Sequence, residues 1–244
     1  MTISFSFLSL AVLLALLMNG SGLQAQEQTD TGRLDRIVLD EMIVFGANED
    51  RQTQILTTED LQQLAPGTSP IRALNKLAGV NFQAADPYGA YEWGVRISVR
   101  GFNQGQLGFT LDEVPLGDMF YSSLNGLYIS RALIDENLGY AQISQGTGSL
   151  DTASTSNLGG TIKFFSTNPA DKMAASVAQT LGSDAAQRTF VKFDSGILNS
   201  KGKFYIAGAH QTQDLWKGDG EQGYDQINVK FVQPIKNSTL SYLL

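Results

Sequence analysis

The sequence predicts a β-rich chain in two parts: an α+β domain with a small mixed sheet and two short helices, then a run of long antiparallel strands. Three observations carry this. Glycine is frequent (25 residues in 244) while helix-type periodicity is sparse, which favours turn-rich strand structure. Between Arg96 and Ser166, short alternating segments are separated by tight turn signals. From Asp171 onward the segments lengthen to about ten residues with polar turns between them, the pattern of strands in a transmembrane barrel.

The central stretch opens with Arg96-Ile97-Ser98-Val99-Arg100-Gly101-Phe102, where Ile97 and Val99 alternate with polar neighbours as in a half-buried strand. After an amide-rich loop come Phe109-Thr110-Leu111, the turn pair Asp112-Glu113, and Val114-Pro115-Leu116, which predict a tight hairpin. Ala141-Gln142-Ile143-Ser144 is a further strand, and Leu158-Gly159-Gly160-Thr161-Ile162-Lys163-Phe164-Phe165-Ser166 another, entered through a glycine pair.

The order and spacing of these pieces resemble the plug domain of a TonB-dependent outer-membrane receptor. The resemblance rests on Val99-Arg100-Gly101-Phe102, Leu111-Asp112-Glu113-Val114-Pro115-Leu116, Ile143-Ser144-Gln145-Gly146 and Gly159-Gly160-Thr161-Ile162, in the family's order. Upstream, Ala73-Leu74-Asn75-Lys76-Leu77-Ala78-Gly79-Val80 is similar to the family's helix ending in an Ala-Gly-Val step. It implies an α+β plug followed by the first antiparallel strands of a transmembrane β-barrel, and covers nearly everything after the leader.

In chain order, residues 1–25 read as a secretory signal peptide. Leu8 to Met18 is apolar apart from Ser9 and is followed by small residues up to Ala25; a buried core helix is the alternative. Residues 26–38 form a polar, flexible periplasmic tail. Residues 39–46 hold a brief apolar strand, Glu41-Met42-Ile43-Val44-Phe45, in polar surroundings. The resemblance makes it a TonB box, which pairs edge-on with the TonB energy-transducing protein; strand addition reads backbone more than side chain. A first plug strand is the alternative.

Residues 47–169 are the expected plug. Thr57 to Leu61 offers an N-cap and an acidic first turn ahead of Pro66-Gly67. A second helix starts with Pro70 at its first position, buries Ile71, Leu74, Leu77 and Ala78, and ends at Gly79. The resemblance places three loops at the outer apices, where Tyr88, Tyr91, Trp93, Phe120 and Tyr121 would line a ligand vestibule, rigid aromatics giving contact area at low entropy cost. Arg100, placed as a strand residue at a buried plug–wall surface, would anchor the plug on a barrel carboxylate. Gln145 stands where many members carry a second basic residue, so anchoring here departs from the family's pattern.

Residues 170–244 hold candidate strands at Met173–Leu181, Thr189–Asp194, Phe204–Gln213 and around Ile227, Val229 and Phe231. Plugged transporter barrels have about 22 strands, so the barrel is expected to be incomplete in this chain. A soluble antiparallel sheet is the alternative.

No catalytic constellation assembles. His210 is the single histidine and has no nucleophile at a useful spacing. Asp112-Glu113 and Asp135-Glu136 are neighbours whose side chains would point to opposite faces of a strand. There is no cysteine, and the glycines of Gln145 to Gly160 lack a following Gly-Lys-Ser/Thr, so no thiolate metal site, cofactor or phosphate loop is expected. A net charge of −7 argues against a nucleic-acid partner. The resemblance implies energy-coupled uptake of a scarce ligand, with a ferric siderophore first and cobalamin, haem or oligosaccharide as alternatives. Outer-membrane lipid would surround the barrel. A secreted β-rich module that binds glycan or protein is the competing class.

Overall fold

A computed structural model of the chain describes residues 53–91, 94–117, 128–146, 152, 156–215, 217–236 and 238–243. All lie in one compact unit, Gly46–Leu244. The signal peptide, tail and TonB-box segments fall outside the described residues, as do Trp93, Phe120 and Tyr121.

The first part is built on a five-stranded sheet. Its strands are β1 (Thr53–Leu56), β5 (Gly108–Leu111), β6 (Val114–Pro115), β7 (Leu138–Gln145) and β8 (Gly160–Ser166), in the order β1-β7-β8-β5-β6. Only β5 and β8 run parallel, so the sheet is mixed, as expected. Asp112 and Glu113, both at positive φ (46° and 67°), form the two-residue turn joining β5 to β6. Two positive φ values match the right-handed twist of a hairpin, a position usually given to Asn-Gly. A smaller sheet of β2 (Val80–Gln83), β3 (Arg96–Val99) and β4 (Phe102–Asn103) lies beside it.

Helical structure is sparse. Helix α1 (Thr58–Gln62) is held by a reciprocal cap in which Thr57 and Asp60 satisfy each other's backbone N–H. The second expected helix is a 3₁₀ segment, Pro70–Lys76, which buries Ile71, Ala73 and Leu74. Proline at the start and an apolar stripe suit either helix type, which is why the pattern did not separate them. A short helix, α2 (Ile129–Ala132), leads into a 3₁₀ turn at Asp135–Asn137. The core between these elements gathers Leu56, Ile71, Leu74, Val95, Val99, Phe109, Ile143, Ile162 and Phe164, all at most 2 % exposed.

The second part is an antiparallel sheet of consecutive hairpins: β9 (Met173–Leu181), β10 (Gln187–Ser195), β11 (Lys203–Asp214), β12 (Glu221–Ile235) and β13 (Ser238–Leu243). Each strand has two faces. On β11, Tyr205, Ala207, Ala209, Gln211 and Gln213 are buried against the first part, while Ile206 points away and is exposed. Val177 and Ile227 are likewise exposed, at 61 % and 66 %. This inversion, polar and small inside and apolar outside, is that of a barrel wall. A cross-strand row of Gln179, Thr189, His210 and Asp225 lies at one end of the apolar band. Thr189 donates to Gln179 (2.6 Å), and His210 Nδ1 meets Asp225 at 2.7 Å. Among the described residues no helix is long and apolar enough to cross a membrane, which says nothing about strands.

The glycine pair at the start of β8 explains how that strand enters the sheet. Gly160 has φ +134°, and a Cβ there would lie 2.4 Å from the Ser144 carbonyl oxygen. Gly160→Ala is therefore expected to destabilise the domain by at least about 1–3 kcal/mol, read as a lower thermal unfolding midpoint. An unchanged midpoint would contradict the tight approach of β7 and β8.

Candidate functional site

The site is the surface where the first part, the plug, meets the inner face of the sheet β9–β13, the wall. Its centre is Arg188 on β10, only 3 % exposed. The strand alternation places Arg188, Phe190, Lys192 and Asp194 inward, opposite Val191 and Phe193. The guanidinium reaches two plug carboxylates at once. Nε donates to Glu136 (2.8 Å), and Nη2 donates to Asp135 (2.8 Å) and Glu136 (2.7 Å). Nη1 donates to Gln211 (3.2 Å) and Tyr224 (3.4 Å). Asp135 also accepts the Gly67 backbone N–H (2.8 Å). Gly67 has φ +84°, and a Cβ there would fall 2.2 Å from Gln211 Oε1. Plug backbone and wall side chains are thus packed to contact.

Asp135 and Glu136 do not behave as neighbours on a strand. They sit in a 3₁₀ turn, and both side chains converge on one cation. This corrects the expectation of opposed faces: the rule assumes period two, and a 3₁₀ turn has period three.

A second contact repeats the polarity. Lys230 of β12 pairs with Asp112 (3.2 Å) and donates to Ser166 O and Oγ (3.2 and 2.9 Å). Asp112 also accepts from the Ser166 backbone N–H (2.9 Å) and hydroxyl (2.5 Å). The strained turn residue is therefore held by three donors. Glu113 is exposed.

Arg100, expected in a buried strand, lies instead in the turn between β3 and β4. Its φ is +49°, its N–H donates to Gly79 O (2.7 Å), and its side chain is exposed. The register explains this: Val99 pairs with Phe102, so Arg100 and Gly101 must turn. Gln145 is buried, its amide donating to Ala78 O (2.9 Å) and Gln54 (3.4 Å) inside the plug. Among the described residues, the buried plug–wall ion pairs run from wall cations to plug carboxylates. The sequence signal for them was parity: Arg188 shares a face with Phe190, away from the outward Val191 and Phe193.

The aromatic loop is organised by Asp86, 8 % exposed, which accepts the N–H groups of Tyr88 (2.9 Å), Ala90 (3.0 Å) and Tyr91 (2.9 Å). Tyr88 is half-buried, and its hydroxyl occupies the space beside wall residue Gly182. Tyr91 is 47 % exposed. The two tyrosines therefore part company, one against the wall and one toward solvent. His210 faces outward and has Asp225 as its cross-strand partner. No group of three or more His, Cys, Asp or Glu residues among the described residues could hold a metal ion.

An α+β domain is thus fixed by buried charge to one face of an amphipathic antiparallel sheet. Residues 47–161 match the family model described as TonB-dependent Receptor Plug Domain. No curated protein matches the sequence. Similar solved structures include the pyoverdine outer membrane receptor FpvA from Pseudomonas aeruginosa PAO1 bound to pyoverdine (TM-score 0.60, 16 % identity, 78 % of this chain and 26 % of that one). The siderophore receptor PirA from Acinetobacter baumannii is similar at TM-score 0.55 and 17 % identity, over 79 % of this chain and 31 % of that one. The ferric yersiniabactin uptake receptor FyuA from Yersinia pestis follows at 0.57 and 14 %, over 78 % and 30 %. The chain thus spans about a quarter to a third of the length of these structures.

Two outcomes test the latch. Arg188→Met removes the cation and leaves two carboxylates in a mostly buried site, expected to cost about 3–5 kcal/mol and to raise protease sensitivity of the plug; an unchanged cleavage rate would reject the role. The second is a pH effect. Asp135 is pushed up to about 7, first by burial and then by its hydrogen bond with Glu136, against the pull of Arg188. Burial also opposes ionisation of Glu136, but hydrogen bonds from Arg188 and with Asp135 outweigh it and hold this group below its usual range. From its ordinary value of 3.8 up to about 7, the folded protein keeps a proton on Asp135 that the unfolded chain has released. Stability contributed by Asp135 is therefore lost as pH rises through that window. Glu136 acts oppositely and only as pH falls below its ordinary 4.5. Proteolysis of the plug should be faster at pH 8 than at pH 5.5, and Asp135→Asn should flatten the difference.

Proposed function

We propose that the chain is the plug and first barrel strands of a TonB-dependent outer-membrane receptor that takes up a scarce ligand, a ferric siderophore before cobalamin, haem or oligosaccharide. The observation that carries this reading is the plug seated by Arg188 and Lys230 on the inner face of a wall whose outer face is apolar. A pore for free diffusion needs no such obstruction, so the plug favours passage triggered by ligand. The names of the similar structures supply the ligand class: pyoverdine, a siderophore and ferric yersiniabactin. The exposed Val177, Ile206 and Ile227 weigh against a secreted β-rich binding module, because a soluble sheet covers such a face.

In this reading residues 1–25 direct export to the outer membrane of a Gram-negative cell, and lipid covers the outward band. Tyr91, Trp93, Phe120 and Tyr121 contribute to the ligand vestibule, with Tyr88 positioning the loop from behind. Glu41, Met42, Ile43, Val44 and Phe45 add a strand to the TonB protein. Arg100, at an exposed turn, remains available for an acidic group on wall strands beyond this chain.

Energy coupling is the decisive test. Proline removes a backbone donor and fixes φ, so Ile43→Pro in the full receptor should abolish active uptake while leaving ferric-siderophore binding at the cell surface intact. Ile43→Val should be tolerated. A matched loss of uptake and binding in the proline variant would instead identify residues 41–45 as a structural strand.

A further inference from the structure

The two ends of the wall carry opposite charge. Antiparallel pairing puts the start of β9, the β10–β11 turn and the β12–β13 turn at one end, and the β9–β10 and β11–β12 turns at the other. Among the described residues, the first end presents Lys172, Lys201, Lys203 and Lys236, against Asp171, which pairs with Lys203 at 2.8 Å. Asp194, near the same end, is buried on the inner face, where it accepts the Ala170 N–H and lies beside Lys192. The opposite end presents Asp184, Asp214, Asp219, Glu221 and Asp225 against Lys217, all exposed, with His210 paired to Asp225. Between the ends runs the outward apolar face. From Asp225 to Ile235 on β12 is about 34 Å of strand at 3.4 Å per residue. At a tilt of about 35–45° it rises about 24–28 Å, close to the roughly 25 Å height of a membrane barrel's apolar band.

Two of the lysines hold backbone positions that lysine does not favour. Lys201 (φ +65°) and Lys236 (φ +52°) are left-handed, a conformation that glycine or asparagine enters at lower cost. A side chain kept where the backbone is strained points to a role for that side chain. Lys172, Lys201 and Lys236 are exposed and form no ion pair among the described residues. Each also stands beside outward apolar groups. Lys172 precedes Met173 (73 % exposed), Lys201 shares a turn with Ile197 (57 %), and Lys236 follows Ile235 (50 %).

A lysine stem lies along apolar surface while its ammonium stays with polar partners. A partner that meets these three ammonium groups therefore meets the apolar band as well. An anionic head joined to hydrocarbon satisfies both, whereas an acidic protein or a free anion would leave Met173, Ile197 and Ile235 in water. One unpaired lysine at each strand start or turn suits lipids with one negative charge apiece, not a clustered polyphosphate. We infer that the end of the wall bearing Lys172, Lys201 and Lys236 is a docking surface for the phosphodiester headgroups of anionic glycerophospholipid. This rests on the reading of the outward face as lipid-covered, and adds to it the headgroup chemistry at the end where the chain leaves the plug.

The test is spin-label spectroscopy of the chain reconstituted in phosphatidylcholine bilayers. Trace spin-labelled phosphatidylglycerol or phosphatidylcholine is added, and the motionally restricted fraction of each gives their relative affinities. Phosphatidylglycerol should be favoured by about threefold or more at about 0.1 M salt, and the preference should fall at about 1 M. The salt series needs no variant. Combined Lys172→Gln, Lys201→Asn and Lys236→Asn should abolish the preference, asparagine being chosen because it accepts the left-handed turns. Arginine at the same three positions should retain it, and Lys217→Gln at the opposite end should leave it unchanged; circular dichroism reports folding of each variant. Glycerol 3-phosphate in solution should leave the preference in place. Equal restriction of both labels would overturn the proposal while leaving the lipid-covered face standing. Survival of the preference in the folded neutral variant, its loss to glycerol 3-phosphate, or stronger selection of labelled lipid A would do the same. No restricted lipid of either kind would overturn the lipid-covered face itself, and this proposal with it.

Discussion

The structure turns on a buried guanidinium that serves two carboxylates. Arg188 is almost fully removed from water, so it needs Asp135 and Glu136, and they need it. Two carboxylates facing one cation cannot both ionise cheaply, and the outcome is an acid held near neutrality beside one held ionised. The arrangement also constrains the backbone. Gly67 must approach the wall closely enough that no side chain fits, and the 3₁₀ turn must present consecutive residues to the same partner. Lys230 and Asp112 repeat the scheme elsewhere on the surface, with the hairpin turn as the acidic member. The plug is positioned by charge pairs whose separation would leave ions in a poorly solvated seam.

Much of the fold was legible because strand grammar is local. The Asp112-Glu113 turn, the β7 and β8 segments and the long wall strands all announce themselves by alternation and turn residues. Strand β1 did not, since Thr53-Gln54-Ile55-Leu56 is too short to alternate and depends on its pairing with β7. The second helix was located but its type was not, because buried Ile71 and Leu74 satisfy either period.

The site was legible in outline, but the charge pairs among the described residues run from wall cations to acids of the first part. The expectation of a plug cation on a wall carboxylate singled out Arg100, which register forces into an exposed turn. The cation that does the work in this chain belongs to the wall, and its partners looked like an ordinary acidic dipeptide. Nothing in Asp135-Glu136 discloses a partner more than fifty positions away; only the inward parity of Arg188 hints at it. The aromatic loop was similarly half-read: Asp86 gathers three N–H groups and thereby sends Tyr88 and Tyr91 to different environments.

The placement of β1 has a mechanical consequence. Among the described residues it is an edge strand paired with β7 alone, and it lies upstream of every latch residue. Tension entering from the N-terminal side would load this short ladder, then α1, before reaching Asp112, Asp135 or Glu136. Drawn out fully, the segment from Thr53 to Gln62 would pay out roughly 33 Å of chain. Part of that length is already spanned in the fold, because β1 is extended, so the travel gained is shorter, and it is gained while the ion pairs at the wall stay closed. Strand β1 and helix α1 would act as a fuse in series with the latch, letting slack out first and passing force to Arg188 and Lys230 only once it is spent.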